Sequence, residues 1–173
     1  MVSQGPVVVL CGPPGCGKTS TGAAVAELLG VDFLDTDAAI EAAQGRSISD
    51  IFLDDGEPRF RELERAEVAR ALSAETGVVA LGGGAVMDPQ TQAALAGHRV
   101  LFLDVGIADA AKRVGFDRSR PLLAVNPRAR WVELMAQRRS SYERLARARV
   151  DTSGREVPDV AAEVAELVRG WQQ

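Results

Sequence analysis

The stretch Gly12-Pro-Pro-Gly-Cys-Gly-Lys-Thr19 constrains the fold more than any other part of this 173-residue chain. It fits the pattern Gly-x-x-x-x-Gly-Lys-[Ser/Thr] of a phosphate-binding loop. The apolar run Val7 to Leu10 precedes it and predicts a short buried strand, and the proline-free segment Thr19 to Leu29 predicts a helix. Strand, glycine loop and helix in this order are the context that the motif requires. We therefore predict a nucleotide-binding α/β domain.

The residue types of this loop suit a bound triphosphate. Its glycines let backbone N–H groups approach phosphate oxygens, and the N-terminus of the following helix adds its dipole. Lys18 can reach the β- and γ-phosphates, while the Thr19 hydroxyl can bind Mg²⁺. Lys18 is one of two lysines in an arginine-rich chain, so a lysine here is not merely the default cation.

The composition is that of one ordinary globular domain, with 46% hydrophobic and 25% charged residues. No apolar run approaches the ~20 residues of a membrane span, and the N-terminus has no secretory signal pattern. Cys11 and Cys16 flank one tight loop and are poorly placed for a disulfide, which favours a reducing compartment. A net charge of −4 without a basic stripe argues against nucleic acid as the main partner. We expect a single cytoplasmic domain over residues 1–173, without membrane or nucleic-acid partners.

Beyond the loop, strand and helix patterns alternate along the chain. This alternation predicts a three-layer α/β/α fold with a five-stranded parallel sheet and helices on both faces. Ligands of such sheets bind at the carboxyl ends of the strands. The predicted strands span residues 7–10, 31–37, 77–81, 100–104 and 149–152, and the predicted helices span residues 19–29, 38–43, 47–53, 57–74, 88–95, 107–114, 128–148 and 158–171.

Asp35 and Asp37 come at the end of the second predicted strand. Alternate strand residues point the same way, so both carboxylates could face the nucleotide. One could hold a water on Mg²⁺ while the other orients an attacking hydroxyl or accepts its proton. The alternative is that one of them caps the next helix. We expect Asp35 to serve the metal and Asp37 the acceptor, with Asp37 able to act as a cap as well.

Other candidates are ambiguous from the residues alone. Arg61, with Glu64 three residues later, is on general grounds a surface helix pair. Three consecutive glycines, Gly82 to Gly84, suit a ligand lying against backbone but could form a plain turn. The basic segment Arg113 to Pro121 is either a mobile flap or a solvated loop. The doublet Arg138-Arg139 presents the same ambiguity on a charged helix.

Taken together, these stretches resemble the shikimate kinase family across essentially the whole chain. The resemblance implies a nucleoside-monophosphate-kinase-like fold and transfer of the ATP γ-phosphoryl group to the 3-hydroxyl of shikimate, giving shikimate 3-phosphate and ADP on the route to aromatic amino acids. It rests on the order and spacing of the phosphate loop, Asp35-Thr-Asp37, Gly45-Arg-Ser-Ile48, Ile51-Phe52, Gly56-Glu57, Phe60-Arg61-x-x-Glu64, Gly82-Gly-Gly-Ala85, Arg120-Pro-Leu-Leu123, Arg138-x-x-x-Tyr142 and Val150-Asp-Thr152.

The resemblance also implies roles for individual residues, and it overturns the surface interpretation of Arg61. A shikimate-binding segment covers about 36–62, a lid covers about 113–125, and Glu64 fixes Arg61. The implied catalytic residues are Lys18, Asp37 and Arg120, the last as an arginine finger of the lid. The implied ATP-binding residues are Gly15, Cys16, Gly17, Lys18, Thr19, Ser20, Arg113, Arg120 and Arg155. Shikimate would contact Asp37, Arg61, Gly82, Gly83, Gly84 and Arg138, and Mg²⁺ would contact Thr19 directly and Asp35 through water.

Two other functions stay open at this point. A different small-molecule kinase, such as a gluconate kinase, would share the phosphate loop and differ in its acceptor pocket. A non-catalytic nucleotide switch would need no acceptor site, although the chain has no Asn-Lys-x-Asp guanine signature. Spacing to Tyr142 favours Arg138 over Arg139 as the substrate residue. We expect a monomer whose ligands are shikimate and ATP.

Overall fold

The computed structural model describes residues 5–114 and 126–173, and within them one sheet contains five parallel strands. The strand order is β2-β3-β1-β4-β5. The predicted five-stranded parallel sheet of an α/β fold is therefore confirmed. The strands are β1 Val8–Cys11, β2 Phe33–Asp35, β3 Val78–Ala80, β4 Val100–Asp104 and β5 Ala148–Asp151.

The central strand β1 is the most buried part of the sheet. All four of its side chains are fully buried, although successive side chains point to opposite faces. Val9 pairs with Val79 on one side and with Val100 on the other. Helices must therefore cover both faces, which explains why β1 consists of four consecutive apolar residues.

Eight α-helices surround the sheet within the described residues, and a 3-10 turn at Ala85–Met87 follows β3. Helices α1 and α8 pack against each other, and α7 packs against β4. The helices are α1 Lys18–Leu29, α2 Thr36–Gln44, α3 Ile48–Asp55, α4 Glu57–Ala74, α5 Pro89–Leu95, α6 Ile107–Val114, α7 Pro127–Leu145 and α8 Val157–Gln172.

Most predicted element boundaries differ from the observed ones by one to three residues, and two of these differences have a clear structural reason. The second strand ends at Asp35 rather than Asp37, because the Asp35 carboxylate accepts a hydrogen bond from the backbone N–H of Ala38 and so begins α2. Helix α7 stops at Leu145 rather than continuing to residue 148. Arg147 has already turned into the sheet, where its N–H donates to the carbonyl of Val100.

A second, smaller hydrophobic cluster lies under α2, α3 and α4. Its buried members are Ile40, Ile51 and Phe60. The rings of Phe52 and Phe60 lie 4.9 Å apart. These contacts fix α4, and with it the predicted substrate residue next to Phe60. Within residues 5–114 and 126–173, no helix has the length and apolar character needed to cross a membrane.

Two glycine substitutions test the packing of this fold. A β-carbon at Gly77 would overlap the backbone of Asp32, whereas one at Gly170 in α8 would meet open space. We expect Gly77→Ala to lower the free energy of unfolding by about 1–3 kcal/mol. Gly170→Ala should raise it by up to about 1 kcal/mol, because alanine loses less backbone entropy in a helix. Urea unfolding measures both, and a Gly77→Ala protein as stable as the parent would contradict this packing.

Candidate active site

The phosphate-binding loop lies between β1 and α1, and its glycines are required for two reasons. Gly15 and Gly17 have φ values of 86° and 87°, in the left-handed region that favours glycine. Space is the second constraint, since a β-carbon at Gly12 would overlap the carbonyl of Leu103. At Gly15 it would lie 2.9 Å from the Cα atom of Ala110 in α6. The loop is thus clamped between β4 and α6.

The N-terminus of α1 provides an anion-binding position directly after the loop. Within the described part of the chain, no side chain caps this helix at Gly17. The Lys18 ammonium donates to the loop carbonyls of Gly12 at 2.6 Å and Pro13 at 3.3 Å. Unpaired helix N–H groups, the helix dipole and a lysine cation therefore converge on the same loop.

Thr19 and Asp35 form the candidate metal position. The Thr19 hydroxyl donates to the Asp35 carboxylate at 2.7 Å, which joins the two residues predicted to serve Mg²⁺. Hydroxyl and carboxylate oxygens are ligands that Mg²⁺ accepts, usually with only one or two from the protein. The described residues contain no cluster of three His, Cys, Asp or Glu side chains that could hold a metal. A metal here would take its remaining ligands from water and phosphate.

Asp37 reaches the site by a different route from the one predicted. The argument from strand alternation is wrong, since Asp37 lies in the first turn of α2 and not on β2. Asp35 is the residue that caps this helix. Both aspartates nevertheless line one cavity of about 550 Å³, together with the phosphate loop and Gly83. One cavity therefore reaches both the phosphate loop and Asp37.

Each glycine of the triplet Gly82–Gly84 leaves space for a charged side chain. A β-carbon at Gly82 would lie 2.6 Å from Asp37 Oδ1, and one at Gly84 would lie 2.6 Å from Arg61 Nη2. At Gly83 it would lie 3.2 Å from Arg138 Nη1. None of the three has a positive φ. The triplet is therefore required for the space it leaves and not for an unusual backbone conformation.

Glu64 fixes the arginine beside this triplet. It is only 2% exposed, and it accepts a hydrogen bond from Arg61 Nη1 at 2.7 Å. Burial raises the pKa of the Glu64 carboxyl, while Arg61 and Arg138 partly offset that effect. Burial alone would lower the pKa of Arg61, but Glu64 and Glu57 outweigh it, and the net pKa is raised. Arg61 is therefore a permanently charged group with a fixed orientation.

The doublet Arg138-Arg139 separates into two environments. Arg138 is 6% exposed and lies beside Gly83. Arg139 instead pairs with the buried Asp104 at 2.9 Å. Burial would raise the pKa of Asp104, but Arg139 and Arg149 outweigh it and lower the pKa. Arg138 is thus the member of the doublet that faces the triplet, and its contact with substrate stays a prediction.

The two arginines predicted on the adenine side both line the cavity, and both contact backbone carbonyls. Arg113 donates to the carbonyl of Gly15 at 3.2 Å and to the Thr152 hydroxyl at 2.8 Å. Arg155 donates to the carbonyl of Asp151 and pairs with Glu163, each at 3.0 Å. Arg120 and most of the predicted lid, residues 115–125, lie outside the described residues.

Sequence reasoning missed Trp131, which donates its indole N–H to the carbonyl of Pro14 in the phosphate loop at 2.9 Å. It also gave Tyr142 no contact, although the Tyr142 hydroxyl donates to the carbonyl of Gly83 at 2.6 Å. One pattern in the sequence could have identified both residues. Trp131 and Tyr142 lie seven residues before and four residues after Arg138, a spacing that places all three on one face of a helix.

The comparisons with known proteins agree on one family. The family profile described as Shikimate kinase matches residues 14–169. The shikimate kinase of Salinispora arenicola is 56% identical over 163 residues, covering 94% of this chain and 98% of that protein. The shikimate kinase of Thermobifida fusca is also 56% identical over 163 residues, covering 94% of each chain.

A solved structure gives the same result in three dimensions. Shikimate kinase from Acinetobacter baumannii, in complex with shikimate, superimposes with a TM-score of 0.92 at 32% sequence identity. The match covers 97% of this chain and 94% of that one. The resemblance found in the sequence is therefore confirmed over nearly the whole length. The chain belongs to the shikimate kinase family.

Proposed function

We propose that this protein is an ATP-dependent kinase that transfers the γ-phosphoryl group of ATP to the 3-hydroxyl of shikimate. The products are shikimate 3-phosphate and ADP, in the biosynthesis of aromatic amino acids. One observation carries the proposal beyond family membership: a single cavity reaches from the phosphate loop to Asp37 and Gly83. Arg138 lies beside Gly83, and Arg61 lies beside the neighbouring Gly84.

The nucleotide occupies the side of the cavity formed by the phosphate loop. Backbone N–H groups at the start of α1 and the Lys18 ammonium bind phosphate oxygens there. Lys18 exchanges its hydrogen bonds to the Gly12 and Pro13 carbonyls for bonds to phosphate. Thr19 directly, and Asp35 through water, would hold Mg²⁺, which would neutralise charge on the phosphates. Gly15, Cys16, Gly17 and Ser20 complete the loop contacts, and Arg113 and Arg155 lie on the adenine side.

Shikimate occupies the side formed by the glycine triplet. Arg61 and Arg138 bind its carboxylate, because planar guanidinium groups pair with carboxylates through two parallel hydrogen bonds. The backbone at Gly82, Gly83 and Gly84 allows the ring to lie close. Asp37 binds the reacting hydroxyl, which aligns it with the γ-phosphorus and gives its proton an acceptor. Catalysis then consists of alignment and electrostatic stabilisation.

Two parts of this mechanism come from the resemblance alone. Arg120 as an arginine finger and residues 113–125 as a lid that excludes water stay predictions. A monomeric state and a cytoplasmic location are likewise inferred from the family and from composition. The proposed contacts of Asp37, Arg61 and Arg138 with shikimate depend on none of these four predictions.

A coupled assay of ADP release tests the reaction itself. We expect ADP to form with shikimate, and at no more than about a hundredth of that rate with gluconate or with no acceptor. Lys18→Ala should lower kcat by at least about a hundredfold, because the variant lacks the ammonium group that stabilises negative charge on the phosphoryl group during transfer. Equal rates with gluconate would support the other small-molecule kinase, and nucleotide binding without acceptor-dependent ADP release would support the nucleotide switch.

Arg61→Ala tests the acceptor side. It removes charge-assisted hydrogen bonds, and we expect the KM for shikimate to rise by about tenfold to a hundredfold with little change in the KM for ATP. Arg59→Ala is the matched control, because Arg59 lies on the same helix but is half exposed and pairs with the surface residue Glu62. Thermal unfolding of both variants shows whether they remain folded. An unchanged KM for shikimate in folded Arg61→Ala would refute the role.

Gly84→Ala tests whether the space at the triplet is functional. The added methyl group would push the Arg61 guanidinium, which is the far end of a flexible side chain. We therefore expect the free energy of unfolding to fall by less than about 1 kcal/mol while the KM for shikimate rises several-fold. Gly170→Ala serves as the control, as its β-carbon meets open space. A large loss of stability with unchanged kinetics would show that Gly84 is needed for packing only.

A further inference from the structure

We propose that Trp131 is a positioning residue for the phosphate-binding loop: its indole N–H holds the Pro14 carbonyl, and it thereby keeps the loop seated against the acceptor side of the cavity. This inference rests on the proposed function for the identity of the loop's ligand. The contact itself, between residues 117 positions apart in the chain, is a feature of the structure.

The burial of Trp131 and its hydrogen bond show that the indole has a defined orientation. Its exposed fraction is 5%, while that of the next residue, Val132, is 51%. The indole therefore points from α7 into the molecule. Its N–H lies 2.9 Å from the Pro14 carbonyl oxygen, a normal length for a neutral hydrogen bond. A buried indole N–H without an acceptor would cost free energy, so this orientation is favoured.

The sequence of the phosphate-binding loop explains why a hydrogen bond from outside the loop is needed at Pro14. Pro13 and Pro14 both lack a backbone N–H, so neither can donate a hydrogen bond within the loop. The Pro13 carbonyl accepts from the backbone of Cys16 and from Lys18. Lys18 must release this carbonyl when it binds phosphate. The bond from Trp131 to Pro14 involves no group that binds nucleotide, and it can persist through binding and release.

Pro14 also touches the acceptor side of the cavity. A β-carbon at Gly83 would lie 3.6 Å from Pro14 Cδ and 3.5 Å from the Gly12 carbonyl oxygen. The phosphate loop and the glycine triplet therefore abut at Pro14 and Gly83. Trp131 holds Pro14 at this junction.

Helix α7 connects the same two regions a second time. Arg138 lies seven residues after Trp131, which is about 10 Å along the helix and close to the same face. Tyr142, four residues further on, donates to the carbonyl of Gly83. One face of one helix thus holds the phosphate loop at its first turns and the glycine triplet at its later turns. The distance between phosphoryl donor and acceptor is set by this helix as well as by the sheet.

The test measures ADP binding directly, by calorimetry, so that it needs no turnover. Trp131→Phe keeps a ring in place and removes the donor. We expect its dissociation constant for ADP to rise by about threefold to tenfold, the range that one net hydrogen bond accounts for. The dissociation constant for shikimate alone should change less than twofold, because Arg61 and Arg138 keep their own contacts.

Trp171→Phe is the matched control, since Trp171 lies near the end of α8 beside Arg147 and is the other of the two tryptophans. It should bind ADP as the parent does. If Trp131→Phe fails to fold, 3-benzothienylalanine at position 131 keeps the bicyclic shape and removes only the N–H, and the same rise is expected.

The proposal would be overturned by a folded variant that lacks the indole N–H at position 131 and still binds ADP as tightly as the parent protein. Equal weakening of ADP and shikimate binding would also overturn it, because that result indicates general loosening of the core. A parent protein that binds ADP but forms none from ATP with shikimate would contradict the proposed function and leave the Trp131 comparison valid.

Discussion

The space left by three glycines at the end of β3 is the constraint on which the rest of the candidate site depends. Asp37 and Glu64 approach Gly82, Arg138 approaches Gly83, and Arg61 approaches Gly84. Any side chain at these positions would displace one of the charged groups. Because none of the three glycines has a positive φ, the requirement for glycine comes from these neighbours and not from the left-handed backbone region.

The charges at the triplet depend on one another. Glu64 is almost fully buried, and a buried carboxylate is tolerated only when opposite charges and hydrogen bonds compensate it. Arg61 and Arg138 supply that compensation from two different helices. The Arg61 guanidinium thus stays charged and oriented before any ligand arrives. Such preorganisation lowers the entropy cost of binding a small anionic substrate.

The fold brings these groups together because the strands are parallel. The phosphate loop follows β1, Asp35 ends β2 and the triplet follows β3. Strands β2, β3 and β1 are neighbours in that order, so their carboxyl ends lie side by side. Helix α7 then returns across this edge and contributes Trp131, Arg138 and Tyr142. The segments that follow these three strands therefore line one cavity, and α7 places Arg138 beside the Gly83 that lines it.

Much of this could be predicted from sequence, since the strongest signals are local. The phosphate loop has a fixed spacing, and each strand is a short apolar run between turn residues. The argument from strand alternation for Asp37 is wrong, because the cap formed by Asp35 begins the helix at Thr36, two residues earlier than predicted. The resemblance to a family, rather than any local pattern, singled out Arg61.

Other features could not be predicted, because they depend on contacts between distant residues. Nothing in the doublet Arg138-Arg139 reveals that Asp104 binds the second arginine and leaves the first at the triplet. The bond from Trp131 to Pro14 spans most of the chain. Periodicity places Trp131 on the same face as Arg138, but it cannot identify a backbone carbonyl as the acceptor.

The most direct test of the central claim is a double-mutant cycle on Gly84 and Arg61, measured as dissociation constants for shikimate. If the glycine matters only because it leaves room for the arginine, adding Gly84→Ala to Arg61→Ala should weaken binding no further than Arg61→Ala alone. Fully additive losses would mean that the two residues act independently, and they would contradict the claim that Gly84 is required to make room for Arg61.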